Sequence, residues 1–173
     1  MKIGSLKILV LCFLLSACQS GTAQKTTDDI IINELSSELS SLDKVIKMHP
    51  NQVLYIDFWA TWCKPCIEEF KHKDDLKAYA DEKGFKLLYV SVDRSSAVAN
   101  WKKLIEANDL KGSHYILPVD KYPPMEIAEI NGNRKSFRIP RYMIVDKEGN
   151  IVENDAPRPS RIRALKTLIS NYL

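Results

Sequence analysis

The stretch DFWATWCKPCIEEF, Asp57 to Phe70, places two cysteines two residues apart, with Lys64 and Pro65 between them. Such a pair is able to hold a metal, close a structural staple, or open and close as a redox couple. Structural zinc requires two further ligands, and the histidines, His49, His72 and His114, follow no metal spacing. As a staple the pair is poor, because a disulfide across so short a loop restricts the unfolded chain very little. The redox reading has a positional argument. An apolar run precedes the pair and a helical pattern follows it, so Cys63 falls at a helix N-terminus, where free N–H groups and the macrodipole favour a thiolate. Cys63 is then the nucleophile. Cys66, about one turn further in and more buried, resolves the mixed disulfide that Cys63 forms. Pro65 suits the first helical turn because it has no N–H to lose.

The elements that must hold this pair follow from hydrophobic periodicity. Leu35, Leu39, Leu42, Val45 and Ile46 are spaced as one helix face, closed by Pro50-Asn51. Val53 to Ala60 is almost continuously apolar, as in a strand buried on both faces. A helix is expected from about Lys64 to Gly84, and a second buried strand from Lys86 to Asp93. Ser95 or Ser96 caps the next helix, whose stripe of Val98, Trp101, Leu104 and Ile105 belongs to the core. SHYILPV predicts a short strand, PPMEIAEI a proline-started helix, and Asn131-Gly132 a turn. RYMIVD and NIVEN, separated by KEG, predict a hairpin, and Pro159-Ser160 leads into a last helix with Ile162, Leu165, Leu168 and Ile169. The sum is an α/β domain, a mixed central sheet with helices on both faces.

The N-terminus reads as a secretory signal: a basic start, the apolar run Ile8 to Leu15, then small residues. Eight helical residues rise only ~12 Å, far short of a ~30 Å hydrocarbon core, so this is no permanent span. Leu15-Ser16-Ala17-Cys18 resembles the bacterial lipobox, which implies a signal peptide of residues 1–17 and lipid on Cys18. Gln19 resembles the residue that sends lipoproteins to the outer membrane. Residues 18–33 are polar and read as a flexible tether, with the domain occupying residues 34–173. The 173-residue chain carries a formal charge of +3, and removing Lys2 and Lys7 leaves 23 basic against 22 acidic residues. A near-neutral mature chain offers no electrostatic case for nucleic acid. Cys12 leaves with the signal, so Cys63 and Cys66 are the only thiols of the folded domain.

DFWATWCKPC closely resembles the active-site segment of thioredoxins, and a secreted or lipidated leader with CxxCxxE resembles the membrane-anchored thiol-disulfide oxidoreductases of the TlpA/ResA type. The resemblance runs from Val53 to the C-terminus. It implies a thioredoxin fold, an active-site motif including Trp62, Lys64 and Pro65, and no metal or organic cofactor. Ile139-Pro140 is similar to the family's cis-proline loop, which faces the cysteines and binds substrate. Asp57 matches the buried aspartate of thioredoxin, with a raised pKa and proton exchange with Cys66. Glu69 matches the glutamate of the ResA type; from the residues alone, either it or Glu68 is the solvated member of the pair. Asp155 to Ser160, DAPRPS, resembles extracytoplasmic thioredoxin-like proteins of the Bacteroidetes kind, and by itself reads as a turn and helix cap. The family's proline five residues after the second cysteine is Lys71 here, which predicts a straighter helix.

The expected activity is thiol-disulfide exchange with cysteine-containing client proteins in the bacterial cell envelope, facing the periplasm, fed by a membrane electron donor. Pro65 resembles reducing thioredoxins, whereas Lys64 favours the Cys63 thiolate and so the oxidising direction. One partly solvated lysine shifts the potential by ~15 to ~60 mV, against the ~150 mV separating thioredoxin from the strong oxidant DsbA. A reductant or isomerase is therefore favoured. The alternatives are a redox-linked copper carrier, for which His114 is the plausible recruit, a peroxidase, and a redox-inert binding lipoprotein.

Overall fold

The computed structural model describes residues 30–33, 41–121 and 137–173. The lipobox with Cys18, the PPMEIAEI helix and the Asn131-Gly132 turn lie outside these residues. In chain order the elements are β1 (Ile30–Asn33), α1 (Leu42–Lys47), β2 (Leu54–Trp59), α2 (Lys64–Glu69), α3 (Lys73–Lys83), β3 (Lys86–Ser91), α4 (Val98–Ala107), β4 (Gly112–Ile116), β5 (Arg141–Val145), β6 (Ile151–Glu153) and α5 (Ile162–Ile169). The strands form one sheet in the order β1-β4-β3-β2-β5-β6. Its first four strands run parallel, and β5 and β6 are antiparallel additions.

The continuous apolar run becomes the central strand. All six residues of β2 are buried, between β3 on one side and β5 on the other. Leu54, Ile56 and Phe58 point to one face and are wholly enclosed, each contributing ~1.5–3 kcal/mol of burial. Tyr55, Asp57 and Trp59 point to the opposite face. There Phe70 packs edge-on against both Trp59, at 5.2 Å between centroids, and Tyr89, at 6.3 Å. The Tyr79 hydroxyl of α3 donates to the Lys166 carbonyl of α5, so α2, α3 and α5 share this face. On the other face, Tyr115 is bonded by His49, just after α1, and Phe58 meets Phe137. Trp101 and Ile105 of α4 are buried in the core, as their stripe predicts.

Three sequence expectations are corrected. The polar tether ends before Ile30 rather than at Asn33, because Ile30–Asn33 is an edge strand paired in parallel with β4 from Gly112 to Tyr115. A four-residue strand has too little periodicity to stand out beside a polar segment, and only its partner strand organises it. The helix after Cys66 does not run straight despite Lys71: a 3-10 turn at Phe70–His72 separates α2 from α3. Phe70 is drawn into the aromatic core there, and the preceding Glu69 is held from across the molecule. Neither Ser95 nor Ser96 caps α4 with its side chain; a 3-10 turn at Ser95–Ala97 precedes the helix. The Ser95 N–H and hydroxyl both donate to Asp120 Oδ1, at 2.8 and 3.2 Å, so the acceptor comes from a distant segment.

Candidate active site

Cys63 and Cys66 are joined as a disulfide, with Cα atoms 5.3 Å apart. The handover from β2 to α2 places them. The Cys63 N–H donates to the Ala60 carbonyl at 3.0 Å, closing a turn, and Cys63 is the N-cap of α2 with φ −86° and ψ 90°. Its Sγ accepts the Cys66 N–H at 3.3 Å, as an anion-favouring helix start requires. Cys63 keeps 4% exposure and Cys66 none, which gives the two thiols different access. Lys64 and Pro65 are exposed, and Trp62 stands out beside them at 67% exposure.

Asp57 lies beneath this end of the sheet. Its strand neighbours are Tyr89 on β3 and Tyr142 on β5, and Oδ1 has no hydrogen-bond partner. Burial, and secondarily the charge of Glu69, hold its carboxyl well above the usual carboxylate range. Burial likewise raises Tyr55, Tyr89 and Tyr142, so the hydroxyls around the aspartate stay protonated.

The two acids at the end of α2 separate cleanly. Glu68 is exposed, whereas Glu69 is buried and accepts from the Ser160 N–H at 2.9 Å, the Ser160 hydroxyl at 3.0 Å and Arg158 Nη1 at 3.4 Å. DAPRPS is therefore more than a turn and cap. The Ala156 N–H donates to the Tyr142 carbonyl and the Tyr55 hydroxyl to the Pro157 carbonyl, both spanning the site. The segment ties β2, β5 and the end of α2 together across the face that holds Asp57. Glu69→Ala is expected to cost ~2–3 kcal/mol by leaving these buried donors without an acceptor, and Ser160→Ala ~1 kcal/mol. Urea-unfolding midpoints equal to wild type in both variants would show that the clamp contributes nothing.

The Ile139–Pro140 bond is cis. Because Arg141 opens β5 opposite Phe58, the Ile139-Pro140 pair lies at the same sheet end as the turn carrying Cys63. Ile139 is half-buried against the core. His114, by contrast, is not brought to the cysteines. It is enclosed two strands away from Asp57, its ring stacked on Tyr89 at 4.8 Å and its Nε2 2.8 Å from the Leu110 carbonyl. Burial lowers its pKa to about 4. Among the described residues no three His, Cys, Asp or Glu side chains converge as a metal site.

Two sets of contacts have no counterpart in the sequence pattern, although DAPRPS itself stood out by resemblance. Arg158 and Ser160 carry no spacing signal, since their partner is about ninety positions away. Asp93, two residues beyond β3, binds Thr61 in the cysteine turn; an acid closing an apolar run is the one local sign of it.

A mixed sheet of this order, with a disulfide at the start of the helix after its central strand and a cis-proline opening the adjacent antiparallel strand, defines a thioredoxin-like fold. The Redoxin family model matches residues 31–169, and the chain belongs to that family. It is similar to the thiol-disulfide oxidoreductase ResA of Bacillus cereus, 28% identical over 100 residues, covering 58% of this chain and 52% of that protein. It is also similar to the thioredoxin-like protein YneN of Bacillus subtilis, 32% identical over 124 residues, covering 71% and 65%. The solution structure of a candidate thiol-disulfide oxidoreductase from Bacteroides vulgatus superposes with a TM-score of 0.58 at 26% identity, covering 73% of this chain and 77% of that one. These matches span about half to two thirds of the curated relatives' length.

Proposed function

We propose that this protein is an extracytoplasmic thiol-disulfide oxidoreductase that exchanges electrons between Cys63/Cys66 and cysteines of client proteins, as a reductant or isomerase. The observation that carries this reading is the pairing itself: a disulfide at the start of α2, with Cys63 as N-cap and Cys66 enclosed behind it. In the reducing direction the Cys63 thiolate attacks a client disulfide, one client sulfur leaves as a thiol, and a mixed disulfide remains. Cys66 then attacks the Cys63 sulfur, the second client thiol departs, and the Cys63–Cys66 disulfide closes. Asp57 takes up the Cys66 proton, Trp62 offers apolar surface beside the thiols, and Ile139-Pro140 receives the client backbone as a short strand addition. The copper-carrier alternative loses its recruit, because His114 is enclosed and bonded to the Leu110 carbonyl.

The membrane is reached through lipid on Cys18, and electrons arrive from a membrane donor. No helix among the described residues is long and apolar enough to cross a membrane. The wild-type domain with dithiothreitol is expected to precipitate insulin B chain well above the dithiothreitol background; a rate equal to that background sinks the redox reading. Labelled palmitate is expected on the full chain and not on Cys18→Ala, and label retained by the variant refutes the anchor.

A further inference from the structure

Asp93 is a carboxylate at 1% exposure that plays no part in the chemistry above. Its Oδ2 accepts the Thr61 N–H at 2.9 Å and the Ser91 hydroxyl at 2.7 Å, and its Oδ1 accepts the Thr61 hydroxyl at 2.8 Å. The Asp93 N–H returns to Ser91 Oγ at 3.1 Å. Both side-chain oxygens are thus satisfied, and both bind the same residue of the turn from Ala60 to Cys63. The base of this arrangement is fixed. Val92 donates to the Trp59 carbonyl, Leu117 to that of Ser91 and Val119 to that of Asp93, which ties the end of β3 to the segments on either side. Burying a carboxylate is costly unless hydrogen bonds satisfy it, and here three donors, two of them from Thr61, do so.

We propose that Asp93 is a positioning residue for the redox centre: by gripping Thr61 at its N–H and hydroxyl, it sets the turn from which Cys63 presents its sulfur. The proposal rests on the redox reading above and deepens it. Thr61 is two residues before Cys63, and the turn otherwise closes through the single bond from the Cys63 N–H to the Ala60 carbonyl. Exposed Trp62, between the two, gives the turn no anchorage of its own. If the grip is released, the Cys63 sulfur drifts from the Cys66 N–H that it now accepts at 3.3 Å. The thiolate then loses stabilisation, so Cys63 reacts more slowly and the dithiol form becomes less favoured.

Alkylation of Cys63 by iodoacetamide in the reduced protein, followed by mass spectrometry at fixed neutral pH, reads the turn directly. Equilibrium potentials against glutathione read its consequence. Thr61→Val, which removes one grip and keeps the shape, is expected to slow alkylation about tenfold and make the potential more negative. Asp93→Ala is expected to do the same more severely. Thr61→Ser, and Asp93→Asn with its amide donating to the Thr61 oxygen, are expected to recover most of the wild-type rate. Wild-type rate and potential in a folded Thr61→Val protein overturn the proposal. So does an Asp93→Asn protein as slow as Asp93→Ala beside an unaffected Thr61→Val, which assigns the effect to charge alone. Should Asp93→Ala fail to fold, the threonine pair decides. A wild-type protein that cannot reduce insulin sinks the redox reading instead, and leaves the alkylation comparison intact.

Discussion

Cys63→Ala is expected to abolish disulfide reduction, at least about a hundredfold below wild type, and to form no mixed disulfide with clients. Cys66→Ala is expected to lose turnover equally but to accumulate clients bound through Cys63, visible as non-reducing gel bands that dithiothreitol releases. The asymmetry follows from access and polarity. Cys63 retains an exposed edge and accepts an α2 N–H, whereas Cys66 is fully enclosed and within bonding reach of the Cys63 sulfur, its disulfide partner. The expected loss is large because, in the proposed cycle, each thiol takes a step for which the domain offers no substitute thiol. Equal trapping by the two variants would contradict the division of labour.

Asp57→Asn is expected to slow resolution of the mixed disulfide by about a hundredfold near neutral pH while leaving its formation intact. The physical cause is the enclosed carboxyl, held well above the usual range by burial first and the Glu69 charge second. A carboxylate whose pKa is raised in this way is a stronger base than an ordinary one, which is what proton transfer from Cys66 inside a dry site calls for. The groups facing it are Tyr89 and Tyr142 alongside and Tyr55 two residues earlier on the same strand, all neutral, with Glu69 and Arg158 beyond.

The same residue makes a stability prediction of definite sign. An unfolded aspartate ionises near pH ~3.9, and the native Asp57 only at higher pH. Between the two values the native state holds a proton that the unfolded chain has lost, so wild-type stability falls as pH rises, by up to ~1.4 kcal/mol per pH unit. Below that window both states are protonated, and above it the loss is complete. Asp57→Asn should match wild type at the acid end of the window and exceed it increasingly towards the alkaline end. Chemical-denaturation curves with a constant difference across pH would show that the carboxylate reaches solvent.

The pairing of Cys63 with Cys66 at the start of α2 was legible because strand, turn and helix are local patterns. Asp57 was legible for a related reason: one acid inside an apolar run must be either enclosed or at an edge, and β2 proved central. Glu69 was legible as a residue and not as a role. The CxxCxxE resemblance singles out Glu69, but periodicity in CIEEF does not separate it from Glu68; Ser160 and Arg158, from about ninety positions away, make Glu69 the buried acceptor.

Local pattern was enough for the periodicities, the paired cysteines and the acid set in an apolar run, because each depends on neighbours within a turn or a strand. Tertiary structure decided whatever depends on partners distant along the chain: the edge strand Ile30–Asn33, the break at Phe70–His72, the enclosure of His114, and the grip of Asp93 on Thr61. Hydrogen bonds between such segments leave no spacing in the sequence, since which donors meet which acceptors is settled only when the sheet brings β1 to β4 and the end of β3 to the cysteine turn.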